Sequence, residues 1–193
     1  KTAGSIALMA STIDDLPHSY ARDVNVAFSA SSFIAACVLT VQIIADGPLF
    51  ALDKQFFIDP LNVFLVTLTA FVGMTTSIFS RPYMRVEQDH GKMTPGRMRL
   101  YHSMYQFFAF TMLVALTTNN MGTLWVSMEA ATLTTVLLVS VYRTPASLEA
   151  AWKYFILCGV GIAQALFGTI LLYMAADRVI PDGVDALLWT NLD

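Results

Sequence analysis

Charge is what this chain has least of. Only 13% of its 193 residues are Asp, Glu, Lys or Arg, about half the share in an ordinary soluble domain. A soluble fold with so little charge has no means of hydrating its surface. A formal net charge of −3 and the absence of any basic stripe give nucleic acid nothing to bind. Cysteine is scarce as well. Cys37 and Cys158 stand alone in apolar surroundings, with no CxxC and no zinc spacing, and read as small core hydrophobes. The chain has no internal repeat, glycine-rich phosphate loop, nucleophile elbow or HExxH. Catalysis of the soluble type therefore has no foothold, and no metal or other cofactor is expected.

What is abundant is apolar sequence, 56% of the chain, in long blocks separated by short charged ones. A helix needs about 20 apolar residues to cross the hydrocarbon core. Five blocks approach or exceed that length: 24–45, 60–80, 100–118, 121–142 and 149–176. Lipid cannot satisfy an open backbone, so each must be helical. The expected fold is all-α, a polytopic transmembrane helix bundle of about five spans over 24–176. Residues 1–23 read as the remnant of a first helix and a loop, since "SIALMA" is too short for a signal-peptide core. Residues 177–193 read as an acid-rich tail or loop. Pro60 suits a first helical turn, "TTNNMG" is a tight turn, and Ser147 in "RTPAS" is expected to cap the last helix.

Basic residues orient the bundle. The 81–99 loop carries Arg81, Arg85, Lys92, Arg97 and Arg99, whereas 46–59 carries only Lys54. The positive-inside rule makes the first cytoplasmic and the second external. Alternation then puts Arg143 inside, and "TTNN" and the tail outside. Asp14, Asp15 and Asp23 sit on the cytoplasmic side against this trend, but acids count little in the rule.

Two ionisable residues interrupt the apolar blocks. Glu129 is the ninth residue of "MGTLWVSMEAATLTTVLLVSVY", about 12 Å into its helix. Lys153, in "SLEAAWKYFILCGVGIAQALFG", stands four or five residues past the start of its helix. Each costs roughly 2.5–3.5 kcal/mol at a membrane centre, so each needs a reason to be there. Lys153 is near enough to an edge to snorkel; Glu129, with a short stem, is not. A titrating site for proton movement and a hydrogen-bonded structural carboxyl are both open readings of Glu129. Burial and a lysine neighbour pull a carboxyl in opposite directions, so a small movement can switch its protonation. His102, near the cytoplasmic end of its block, is a third candidate for proton translocation and also reads as an ordinary interfacial residue. Thr132, Thr134 and Thr135 can bond backbone carbonyls or hold water. The small-residue pairs Gly159–Ala163 and Gly161–Ala165 permit close helix contact.

"FFIDPLNVFLVTLTAFVGM" and "TLWVSMEAATLTTVLLVSVYRTPASLEAAWKYFILCGVGIAQALFG" resemble the antiporter-like membrane subunits shared by respiratory complex I, group 4 membrane hydrogenases and multisubunit sodium/proton antiporters. The likeness covers roughly residues 50–175 and is nearest to the hydrogenase-4 component F group of formate-hydrogenlyase-like assemblies. It implies that Glu129 is the family's fifth-helix glutamate and Lys153 its sixth-helix lysine in "AAWKYF". It implies that the five spans are family helices two to six, within subunits of about fourteen helices built on two inverted repeats. The seventh-helix lysine that pairs with the glutamate has no counterpart here, so the chain is expected to be part of a longer subunit. The resemblance further implies an ion-translocating subunit, most simply for protons, in a multi-pass bacterial inner-membrane complex. Its partners would be other membrane subunits, peripheral redox subunits and lipid. Two alternatives stand beside it: a structural or assembly subunit that does not pump, and the energising subunit of an inorganic-carbon uptake system.

Overall fold

The computed structural model describes residues 18–180, 183 and 185–192; "SIALMA" lies outside the described residues. The fold is an all-helical membrane bundle with one small hairpin. Helix α1 spans His18–Asp46, α2 Pro60–Asp89, α3 Pro95–Thr117, α4 Met121–Val139 and α5 Pro145–Ala176. Strands β1 (Leu49–Ala51) and β2 (Phe56–Ile58) form an antiparallel hairpin between α1 and α2, with Leu49 opposite Ile58. Helices α1, α2 and α3 pack together, α4 packs on α3, and α5 lies outermost on α4.

The helix starts follow local chemistry. Asp59, Thr94 and Thr144 each precede a proline at the first helical position, where the missing N–H costs nothing. Each accepts a bond from the backbone N–H three residues on. Asn120 caps α4 by accepting from Gly122 and Thr123. Ser147 is therefore not the cap of α5. Pro145 moves the start forward, Thr144 takes the cap, and the Ser147 hydroxyl accepts from the Thr144 N–H in a capping box. At the other ends, α1 gives way to Gly47 at φ +86° and α2 leads into Gly91 at φ +71°, left-handed turns that a side chain would oppose.

Two expected loops are more ordered than their charge suggests. The 81–99 segment is not open loop, because α2 runs through Pro82 to Asp89 and α3 begins at Pro95. Met84 on the extension packs with Met93, Met98 and Val141 in a buried cluster, which offsets the backbone bond that Pro82 removes. The 46–59 segment holds the hairpin, whose turn places Leu52, Asp53 and Lys54 at positive φ.

Among the described residues, four helices are long and apolar enough to cross a membrane: Arg22–Asp46, Pro60–Asp89, Met121–Tyr142 and Pro145–Ala176. Helix α3 has the length but falls short in hydropathy, because its first half carries Arg97, Arg99, His102, Gln106 and two tyrosines. Many large apolar side chains face outward, among them Phe28, Ile44, Phe79 and Leu157. Lipid wants such a surface; water would not tolerate it. The interior is correspondingly rich in small and polar side chains, including Ala36, Ala70, Ser29, Ser77, Ser127 and Thr134. Membrane helices gain little from burying more hydrocarbon and much from close approach and internal hydrogen bonds.

The ends of the bundle sort as the alternation requires. At one end, buried Asn119 donates through Nδ2 to Lys54 O at 2.9 Å and to Thr190 Oγ1 at 2.9 Å. The Trp189 N–H donates to Asn119 O. The hairpin, the α3–α4 turn and the C-terminal segment thus form one layer. At the other end, Arg97 Nη1 donates to Tyr142 O at 3.4 Å, joining the start of α3 to the α4–α5 turn.

Candidate functional site

Glu129 lies eight residues into α4, about 12 Å along its axis. Ser127, Ala131 and Thr134 form the buried face of α4. Glu129 lies off that face and is half-buried. Trp125, one turn earlier on the same side as Glu129, donates its indole N–H to Ile162 O of α5 at 2.9 Å. Lower on the same interface, Tyr154 of α5 approaches Thr135 of α4. These two contacts align the helices antiparallel and put Glu129 level with Cys158 and Gly159. Among the described residues the Glu129 carboxyl makes no hydrogen bond and no ion pair. Thr132, Thr134 and Thr135 are spent on their own helix, donating to carbonyls three or four residues back.

Lys153 is not beside Glu129. The same alignment sets it level with Thr135, about 9 Å further along the axis. Its side chain is 74% exposed and bonds Glu149 Oε1 at 2.5 Å, one turn back on its own helix. The sequence pattern singled out Lys153 but not Glu149, although the i,i+4 spacing that makes this pair was legible.

His102 is the reverse case. The residue faces the bundle interior and is only 6% exposed. Helix α3 starts at Pro95 and turns this face toward α1 and α2. Neither imidazole nitrogen has a hydrogen-bond partner among the described residues. Tyr101 meets the ring edge-on at 5.3 Å. One turn deeper, Gln106 Nε2 donates to Asn25 O at 2.9 Å, Asn25 Oδ1 at 2.6 Å and Ser29 Oγ at 2.9 Å. Asn25 Nδ2 in turn donates to Ser77 Oγ at 3.0 Å. Composition hid this network, since Asn25, Ser77 and Gln106 carry no charge and match no motif; their shared face appears only when three helices meet.

The remaining sequence candidates play smaller parts. Cys37 and Cys158 are free and half-buried, not deep core. A Cβ added at Gly159 or Gly161 would meet no heavy atom within 4 Å, so no described helix uses that small-residue stripe. Among the described residues, no three His, Cys, Asp or Glu side chains converge to hold a metal.

Residues 118–184 match the family described as NADH:quinone oxidoreductase/Mrp antiporter, transmembrane. The matched segment contains Glu129 and Lys153 but not His102. A hydrogenase-4 component F homolog from Methylacidiphilum infernorum is 49% identical over 168 residues, covering 87% of this chain and 34% of that protein. NADH-quinone oxidoreductase subunit N of Thioalkalivibrio sulfidiphilus is 27% identical over 153 residues, 79% of this chain and 30% of its own. The chloroplastic NAD(P)H-quinone oxidoreductase subunit 5 of Lemna minor is 30% identical over 125 residues, 64% of this chain and 16% of its own. The chain spans about a third or less of the length of these relatives. With its multi-pass bundle and these matches, the chain belongs to the antiporter-like transmembrane family of NADH:quinone oxidoreductase and Mrp membrane subunits.

Proposed function

We propose that this chain is part of a proton-translocating membrane subunit of a redox-driven complex, of the hydrogenase-4 or complex I kind, in a bacterial inner membrane. The observation that carries the reading is Glu129: a carboxyl near the middle of an apolar helix, inside the family-matched segment, with no bond to any described residue. A structural carboxyl in a membrane earns its place by hydrogen bonding across helices. An unbonded one is free to gain and lose a proton. Lys153, one helix over and offset along the axis, supplies a second titrating group along the same pair of helices. His102 supplies a third on the other side of α3. The electron chemistry belongs to peripheral partner subunits, and this chain contributes the path through lipid. The names of the relatives, component F and subunits N and 5, support assembly with other membrane subunits.

The test is Glu129→Gln in the whole subunit, assembled with its partners in vesicles. Gln keeps the shape and can keep a hydrogen bond, but it does not titrate. Expression and assembly should be nearly unchanged. Proton uptake per electron should fall sharply, and its rate about tenfold or more, equivalent to about 1.4 kcal/mol or more of barrier. Glu129→Asp should retain part of the activity. Normal uptake by the Gln variant would reduce Glu129 to packing and remove the pump assignment's main residue.

A further inference from the structure

The buried polar side chains of α1, α2 and α3 are not scattered; they form a line. Near the end of the bundle that carries Arg81 and Arg85, Asp23 of α1 is ion-paired with Arg81 of α2. His102 lies inward of that pair, with Arg22 within electrostatic reach. Four residues further along α3, Gln106 joins Asn25, Ser29 and, through Asn25, Ser77. Immediately beyond is a cavity of about 20 Å3 lined by Ser29, Ser32, Thr69, Gly73 and Gln106. The line then stops. Ala36, Val66 and Ala70 close it as a buried apolar cluster, with Phe33, Leu113 and Leu116 packed against them.

Two features of this line call for a ligand. Both nitrogens of a 94%-buried imidazole lack a partner, and a neutral or charged ring must use at least one of them as a donor. The cavity exceeds the roughly 10–15 Å3 that one water occupies, and Ser29, Ser32, Thr69 and Gln106 bring hydroxyl and amide groups to a wall otherwise made by apolar side chains such as Met74 and Leu113. The three contacts of Gln106 all use its amide nitrogen, whose two hydrogens they share.

We propose that the α1–α2–α3 junction is an internal water-binding site, an inlet that carries water from the arginine-bearing end past His102 to the cavity at Gln106 and ends at the Ala36–Val66–Ala70 plug. Water is the ligand because the polar groups that reach the cavity are uncharged hydroxyls and an amide, and the space holds one small molecule. The apolar plug holds the line shut by excluding water from a constriction without polar partners. The inlet is separate from the α4–α5 pair that carries Glu129 and Lys153. Its use as a proton entry rests on the proposed function, but its hydration does not.

The experiment is water-edited solid-state NMR on the whole subunit in lipid bilayers, with labelled His, Gln, Ala and Val. Magnetisation from water should reach the His102 ring nitrogens and Gln106 Nε2 quickly, and reach the methyls of Ala36 and Val66 slowly. His102→Leu, which removes the imidazole upstream of Gln106, should bring the Gln106 signal down to the Val66 level. Ser29→Ala, a milder change should Leu disturb folding, should slow transfer to Gln106. If His102 and Gln106 are as dry as Val66 in the native protein, the inlet does not exist. If Gln106 stays wet in both variants, its water arrives by another route and the continuous line is overturned. Glu129→Gln should leave the signals unchanged, so a dry inlet and a failed Glu129 relay are told apart.

Discussion

A single side chain in lipid has to be placed by its partners, and the three candidate residues divide on that ground. Glu129 has none among the described residues, His102 has none for its ring nitrogens, and Lys153 has Glu149. An exposed i,i+4 pair on a helix is worth only about 0.3–0.5 kcal/mol, so the Glu149–Lys153 bond does not commit the ammonium to that position. Lys153→Arg separates an anchor from a proton carrier. Arginine keeps the charge, the reach and the bond to Glu149, yet it does not give up its proton. Proton uptake by the assembled complex should fall with Arg at 153 while assembly is kept. Wild-type uptake would mark Lys153 as an anchor at the membrane edge.

Helix ends obey local chemistry. Asp-Pro, Thr-Pro and Thr-Pro open α2, α3 and α5, and Gly47 and Gly91 follow α1 and α2. Each boundary rests on a cap or a backbone preference within four residues. Of these signals only Pro60 was read from the sequence; the third block was begun at 100, and Ser147 was expected as the last cap in place of Thr144. Hydropathy gave the apolar part of a helix, not its ends. It stopped α2 at residue 80, whereas the helix continues nine residues into charged sequence because Met84 finds the Met93–Met98–Val141 cluster. The β1–β2 hairpin was missed because its pairing depends on Gln55, Asn119 and Asn120 meeting across the fold. The α5 cap offers a direct check. Thr144→Ala removes the acceptor of the Ser147 N–H, at a cost of about 1 kcal/mol. Hydrogen exchange at Ser147 should quicken roughly fivefold, while amides past residue 152 stay unchanged.

Sidedness belongs to the whole molecule. The counting of basic residues separated 81–99 and Arg143 from 46–59, "TTNN" and the tail, and the fold gathers each set at its own end through Arg97–Tyr142 and through Asn119. The arginine-rich end is expected to face the cytoplasm. Single cysteines at His90 and Asp53, in a background without Cys37 and Cys158, report this in intact cells. Both positions are exposed, whereas Gln55 is engaged with Asn119 and Asn120 and is a poorer probe. An impermeant thiol reagent should modify position 53 and spare position 90. The reverse pattern would invert the bundle.

Composition alone determined that the chain is a membrane bundle, because too little charge and too many long apolar blocks leave no other solvent. It also singled out Glu129, since a carboxylate within an apolar block is costly wherever the helices lie. Sequence could not decide which way a side chain faces, because burial in lipid removes the apolar-in, polar-out periodicity that orients helices in water. Tertiary packing decided that Lys153 points outward to Glu149, that His102 faces the bundle interior, and that Asn25, Ser29, Ser77 and Gln106 share one polar line. These uncharged residues lie on three different helices, and only the angles at which those helices meet bring their hydrogen-bonding groups within about 3 Å of one another.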